Sequence, residues 1–234
     1  IGTGQNGISF LSFVKSKFTH HRYDQENEWG LKSDKIYSIT TMTDGMMWAA
    51  TGFGLEMLSP DGIREYDYEK STLGVNYIID LEIVNDENLW VGTDQGVLKI
   101  NTMTDIITRF SKSDTIPDSR RLADNLIHDI LPIDDKIWVA TGSGVVIIDT
   151  SSNNVTNFSS DLIARVITQD QDGDIWLGTE MDGLYTIPSK LISNIINGEN
   201  FEIEGYVFDP EYPNGISSSN ITWVSQDKNG RIWI

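Results

Sequence analysis

Short apolar runs separated by polar, glycine-bearing turns recur along the chain, always in the same order. Each unit opens on two apolar residues three apart: Ile36 and Ile39, Ile78 and Leu81, Ile127 and Ile130, Ala164 and Ile167, Ile221 and Val224. A turn rich in Asp, Asn and Gly follows, as in Thr43-Asp44-Gly45, Asn85-Asp86-Glu87-Asn88 and Asp172-Gly173. Next comes a Trp closely followed by a small residue and Thr: Trp48-Ala-Ala-Thr51, Trp90-Val-Gly-Thr93, Trp138-Val-Ala-Thr141 and Trp176-Leu-Gly-Thr179. A glycine just past the Thr (Gly54, Gly96, Gly144, Gly183) introduces a third run, and a fourth often ends in an aromatic such as Tyr66, Phe110 or Phe158. Runs rich in Ile, Val, Thr, Trp and Tyr, joined by residues that accept positive φ, are antiparallel strands joined by tight turns. The pattern predicts one four-stranded antiparallel sheet per repeat.

The motif threonines Thr3, Thr51, Thr93, Thr141 and Thr179 lie 38 to 48 residues apart. Four strands at such a period are the mark of a β-propeller, which stacks blade on blade. The expected fold is all-β: a propeller of four-stranded antiparallel blades, about five of them present, as part of a larger propeller. Residues 1–234 form one propeller domain in this reading, with motifs near 1–7, 36–54, 78–96, 127–144, 164–183 and 221–234. Ile1-Gly2-Thr3 and Trp233-Ile234 each read as half a motif, so the chain is expected to be a fragment. Only Ser189 to Asn197, with Leu191, Ile192, Ile195 and Ile196, has helical spacing. The atypical stretch from Lys190 to Ser219 leaves the outer strand of its blade open.

The pattern of apolar pair, Asp/Asn-Gly turn, (Leu/Ile)-Trp-(Ile/Val/Leu)-Gly-Thr and Gly-(Leu/Val) resembles the two-component regulator propeller repeat. Ala164 to Tyr185 is the nearest copy, whereas Ala50 and Ala140 replace the motif glycine. The resemblance implies the extracytoplasmic, periplasmic sensor domain of a membrane-bound bacterial hybrid histidine kinase. It further implies carbohydrate-derived ligands, such as oligosaccharides, and signalling through rearrangement of a homodimer. A kinase or other catalytic output would lie outside this chain, so the fragment is expected to bind rather than catalyse. A sensor of a diguanylate cyclase, a protein-interaction scaffold, and a propeller lyase or hydrolase are the alternatives.

Composition narrows the partners. Hydrophobic residues at 39% and charged residues at 22% are those of a folding chain. Seventeen Lys and Arg against 35 Asp and Glu give a net charge of −18, which repels a polyphosphate backbone or an anionic bilayer. Nucleic acid and direct membrane contact are therefore not expected as partners; a small-molecule ligand is. No stretch is long and apolar enough to span a bilayer. The absence of cysteine removes disulfides and thiolate chemistry, and no phosphate-cradling, nucleophile-elbow or zinc-helix motif occurs, so no catalytic residue, metal site or cofactor is expected.

Two residue sets remain as candidate ligand sites. The long segments between strands carry polar and aromatic residues: His20, His21, Arg22, Tyr23 and Trp29 in the first, Arg120 and Arg121 in the second, Phe208 and Tyr212 in the third. Binding residues concentrate on loops held by rigid scaffolds. The His20-His21-Arg22 run could hold an anion or a metal, although alternate side chains on a strand face opposite ways. The second set is Tyr37, Asp80, His128, Arg165 and Trp223, expected at equivalent innermost-strand positions with varied chemistry. His128, beside Asp129, is the residue an enzymatic reading would use as a base. Asp170-Gln-Asp172-Gly-Asp174 resembles a calcium loop but lacks its distal bidentate Glu, so a plain turn is expected.

Overall fold

A computed structural model describes residues 8–12, 17–24, 30–59, 62–67, 73–75, 77–158, 162–197, 199, 203–212 and 215–234. The motif copy at 1–7 and Trp29 lie outside the described residues. The chain divides into two compact units, Ile1–Arg109 and Phe110–Ile234.

The first unit opens with an antiparallel pair, β1 (Ile8–Ser12) and β2 (Lys17–His21). A sheet of β3 (Ile36–Thr41), β4 (Met47–Thr51), β5 (Gly54–Ser59) and β6 (Gly62–Asp67) follows, in sequence order. The next is β7 (Ile78–Val84), β8 (Asn88–Thr93), β9 (Gly96–Asn101) and β10 (Ile107–Phe110), ordered likewise. The second unit holds β11 (Ile127–Ile133), β12 (Lys136–Thr141), β13 (Gly144–Asp149) and β14 (Val155–Phe158), again a meander. Then come β15 (Ala164–Gln169), β16 (Ile175–Thr179), β17 (Leu184–Ile187) and β18 (Glu204–Tyr206), and the pair β19 (Ser225–Gln226) and β20 (Ile232–Trp233). Repeated up-and-down four-stranded sheets are the blades of a β-propeller. The predicted helix is present as a 3₁₀ turn, Ser189–Leu191, running into α1 (Ile192–Ile196). It lies between β17 and β18, so the outer strand left open by the sequence is the short segment that ends at Tyr206.

In each four-stranded sheet the recurring motif falls on the second strand, with a neighbour on both sides. Trp48, Trp90 and Trp138 are consequently buried, together with Leu89, Val91, Ile137 and Val139. One apolar cluster joins Trp48, Leu55, Ile78, Leu81 and Leu98 of successive sheets in the first unit. A corresponding one joins Trp138, Ile147, Ile167, Leu177 and Ile187 in the second. Burying each such side chain contributes roughly 1.5–3 kcal/mol. Sheet-on-sheet contact is thus where each unit's core sits.

The motif threonine secures the turn that follows it. Thr51, Thr93, Thr141 and Thr179 are fully buried, and each hydroxyl donates to the carbonyl of the turn glycine: Gly54 (3.1 Å), Gly96 (2.7 Å), Gly144 (2.9 Å) and Gly183 (2.7 Å). The same hydroxyls accept the backbone N–H of Phe53, Gln95, Ser143 and Asp182. The motif glycine answers to packing: a Cβ on Gly178 would lie 2.6 Å from both Ile221 Cγ2 and Val166 Cγ1. Ala50 and Ala140 are accommodated, fully buried, at the corresponding positions.

Candidate functional site

Each first strand loses register after its first residue, between Ile36 and Ser38, Ile78 and Asp80, Ile127 and Asp129, and Ala164 and Val166. The extra residue of each bulge is Tyr37, Ile79, His128 or Arg165. A bulge re-aims its side chain and marks a position shared by successive blades. Tyr37, His128 and Arg165 therefore are equivalent, as expected. Asp80 is not: it stands one residue further on, in line with Ser38, Asp129 and Val166, and Trp223 is likewise offset by one relative to Ile221 and Val224. A single-residue offset turns a strand side chain to the other face, and the bulge that creates it leaves no trace in the apolar spacing.

The offset residues join neighbouring sheets. Ser38 Oγ donates to Asp80 Oδ1 at 2.9 Å and accepts the N–H of Leu81 at 3.3 Å. Asp129 Oδ2 accepts the N–H of Ile167 at 2.8 Å. His128 Nδ1 stands 2.5 Å from the carbonyl oxygen of Ala164, which as an acceptor takes its N–H. Arg165 is paired with Glu180 at 2.8 Å, and Tyr37 and Trp223 are exposed. Farther along β7, burial and then the Asp80 charge push the Glu82 carboxyl up to about 7.

In the 111–125 segment, Arg121 is paired with Asp118 at 2.9 Å, beside a 3₁₀ turn spanning Asp118–Arg120. Asn157 of β14 straps the segment down, accepting from Ala123 N–H and donating to the Arg121 carbonyl. Arg121 serves the loop's own closure.

The other two segments open onto cavities. In the first unit, one of about 300 Å³ is lined by His20, His21, Arg22, Tyr23, Asp24 and Leu31, with Gly30 and Ile63. Its base is anchored: Leu31 is fully buried beside Ile36, Ala49 and Leu58, and pairs with Tyr23 through a β-bridge. Tyr23 N–H donates to Asp34 Oδ1 at 2.7 Å. The second unit has a more open hollow of about 770 Å³, bordered by Tyr206, Val207, Asp209, Tyr212, Ile216 and Ile234 among others. Tyr206 stacks on Trp176 with ring centroids 6.2 Å apart. Asp24 and Asp209 were not singled out in the sequence; nothing in their local pattern distinguishes them from other acidic loop residues.

The Asp170 turn is structural. Asp170 Oδ1 accepts the N–H groups of Asp172 and Asp174, and Oδ2 accepts Trp176 Nε1–H at 2.7 Å. Asp227 repeats the arrangement with Asn229, Arg231 and Trp233. Among the described residues no three His, Asp or Glu side chains converge as a metal site, and no helix is long and apolar enough to cross a membrane.

Comparison with known proteins places this architecture. The two-component regulator propeller model matches residues 151–181 and 215–234. No curated protein sequence matches the chain. The extracellular domain of a hybrid two-component system from B. thetaiotaomicron superposes with a TM-score of 0.77 at 18% identity, over 99% of this chain and 30% of that one. The extracellular domain of a one-component system from the same organism gives 0.74 at 16% identity, over 99% and 29%. A streptogramin B lyase gives 0.63 at 19% identity, over 98% and 69%. The chain spans about a third of the length of the two extracellular domains, and these likenesses establish the fold. The chain is thus a β-propeller whose four-stranded blades are built on the buried threonines Thr51, Thr93, Thr141 and Thr179, and over residues 151–181 and 215–234 its sequence is similar to the two-component regulator propeller repeat.

Proposed function

We propose that this chain is part of the periplasmic ligand-sensing propeller of a membrane-bound bacterial hybrid two-component regulator. It takes a carbohydrate-derived ligand and passes the signal on through rearrangement of a homodimer. The observation that carries the reading is the likeness along almost the full chain to the extracellular domain of a hybrid two-component system, together with the family's own repeats. A rigid sheet scaffold with polar and aromatic loop cavities is what a sensor requires. In this reading the segment binds ligand, and His128, through its Nδ1 contact with the Ala164 carbonyl, joins two sheets.

A thermal-shift series with neutral and acidic mono- and oligosaccharides, and with divalent cations against chelator controls, tests the reading. A ligand that binds only the folded chain at about a hundred times its Kd adds roughly 2.7 kcal/mol. A saturable rise in Tm with one class of sugar is expected. A cooperative melt that no sugar moves would favour a protein-interaction scaffold instead.

A further inference from the structure

The candidate arginines differ in how their charge is used. Arg121 and Arg165 are paired with Asp118 and Glu180, and Arg120 is also engaged. Arg22 has no hydrogen bond or ion pair among the described residues, yet it lines the 300 Å³ cavity with two imidazoles beside it. In a chain with twice as many acidic as basic side chains, a guanidinium open to a cavity is a site for an oxyanion. Its planar fork matches a carboxylate in bidentate geometry. His20 and His21 belong to the same cavity lining.

We propose that this cavity binds the carboxylate of an acidic monosaccharide unit, a uronate, with Arg22 as the principal contact. The assignment rests on the carbohydrate-sensing reading and names the class of sugar. Asp24 at the same cavity supplies acceptor capacity for ring hydroxyls and, with the overall charge of −18, disfavours ligands of higher negative charge. The exposed face of Tyr23 offers a platform for the sugar ring, while the Tyr23–Leu31 bridge and the buried Leu31 hold that wall in place before the ligand arrives. The volume is at the small end for ligand pockets, which suits one sugar unit.

Isothermal titration of the 234-residue chain with sodium glucuronate, glucose and sodium acetate tests this. Glucuronate is expected to bind at least about tenfold more tightly than either of the others, because only it engages both the fork and the hydroxyl acceptor. Arg22→Ala should weaken glucuronate at least about tenfold without moving Tm, since the side chain is exposed and has no partner among the described residues. Arg22→Lys, which keeps the charge and loses the fork, should fall between. Equal affinity for glucose and glucuronate, or an unchanged Arg22→Ala variant, overturns the assignment while leaving carbohydrate sensing standing. Acetate binding as tightly as glucuronate overturns the sugar part of it. Failure of every sugar, neutral or acidic, to bind the chain removes both readings together.

Discussion

At the residue scale, the repeat signature is a set of hydrogen bonds that need particular side chains. A threonine suits the end of the second strand because it is β-branched and carries a hydroxyl that can donate and accept at once. Thr93 does both, to Gly96 and from Gln95, with no access to water. Thr93→Val keeps the shape and strands those backbone groups, so stability should fall by about 1–3 kcal/mol, with Thr93→Ser falling less. Thermal unfolding measures this, and a valine variant as stable as the wild type would refute the account. The Asp six residues before Trp176 and Trp233 is equally legible once seen, since it closes the turn and takes the indole N–H. Trp48, Trp90 and Trp138 follow Met42, Val84 and Pro132 at that spacing, so this contact cannot belong to the shared pattern.

At the element scale, neighbouring sheets are held by apolar faces and by side chains that reach across to backbone. Asp129 on β11 satisfies the Ile167 N–H on β15, and Ser38 on β3 does the same for Leu81 on β7. Thr43, in the turn after β3, donates its N–H and hydroxyl to Asp86 in the turn after β7. Asp129→Ala leaves the Ile167 N–H without that acceptor at a partly buried site, a loss of about 1–3 kcal/mol. Native-state hydrogen exchange should show the Ile167 amide losing protection in that variant, with Asp129→Asn retaining most of it. Unchanged exchange would mean the sheets are held by apolar packing alone. Strand order, turns and the late helix were all readable from periodicity. The bulge was not, because it preserves the three-residue spacing of the apolar pair while shifting what lies between, and so Asp80 was grouped with Tyr37 and His128.

At the scale of the whole molecule, the acidic excess makes stability depend on pH in two directions. The Glu82 carboxyl is raised to about 7 by burial and by Asp80, so its folded pKa lies above its unfolded one. Its contribution is fully present below the unfolded value and is lost as pH rises through about 7. Glu82→Gln should therefore raise Tm more at pH 8 than at pH 5, by scanning calorimetry in matched buffers; an equal gain at both would show that Glu82 titrates normally. Asp86, Asp149 and Asp227 act oppositely, held below the usual carboxylate range chiefly by hydrogen bonds from the Thr43 side chain, the Ser152 backbone and the Arg231 backbone respectively. Their stabilisation is present above the ordinary carboxylate pKa and is lost on acidification.

The amino-acid sequence by itself determined the blades. Strand identity, turn position and repeat number follow from local rules: alternation on a pleated strand, positive φ at glycine and Asx turns, and a buried hydroxyl beside a turn glycine. The arginine that stays open to a cavity was decided by tertiary structure alone. Arg121 has Asp118 three residues before it, but only the fold brings Glu180, fifteen residues on, to Arg165, and only the fold opens a cavity, walled by Leu31 and Ile63, in front of Arg22. Charge pairing acts over a few ångströms between residues that need not be neighbours along the chain, so it can be read only after the chain has been folded.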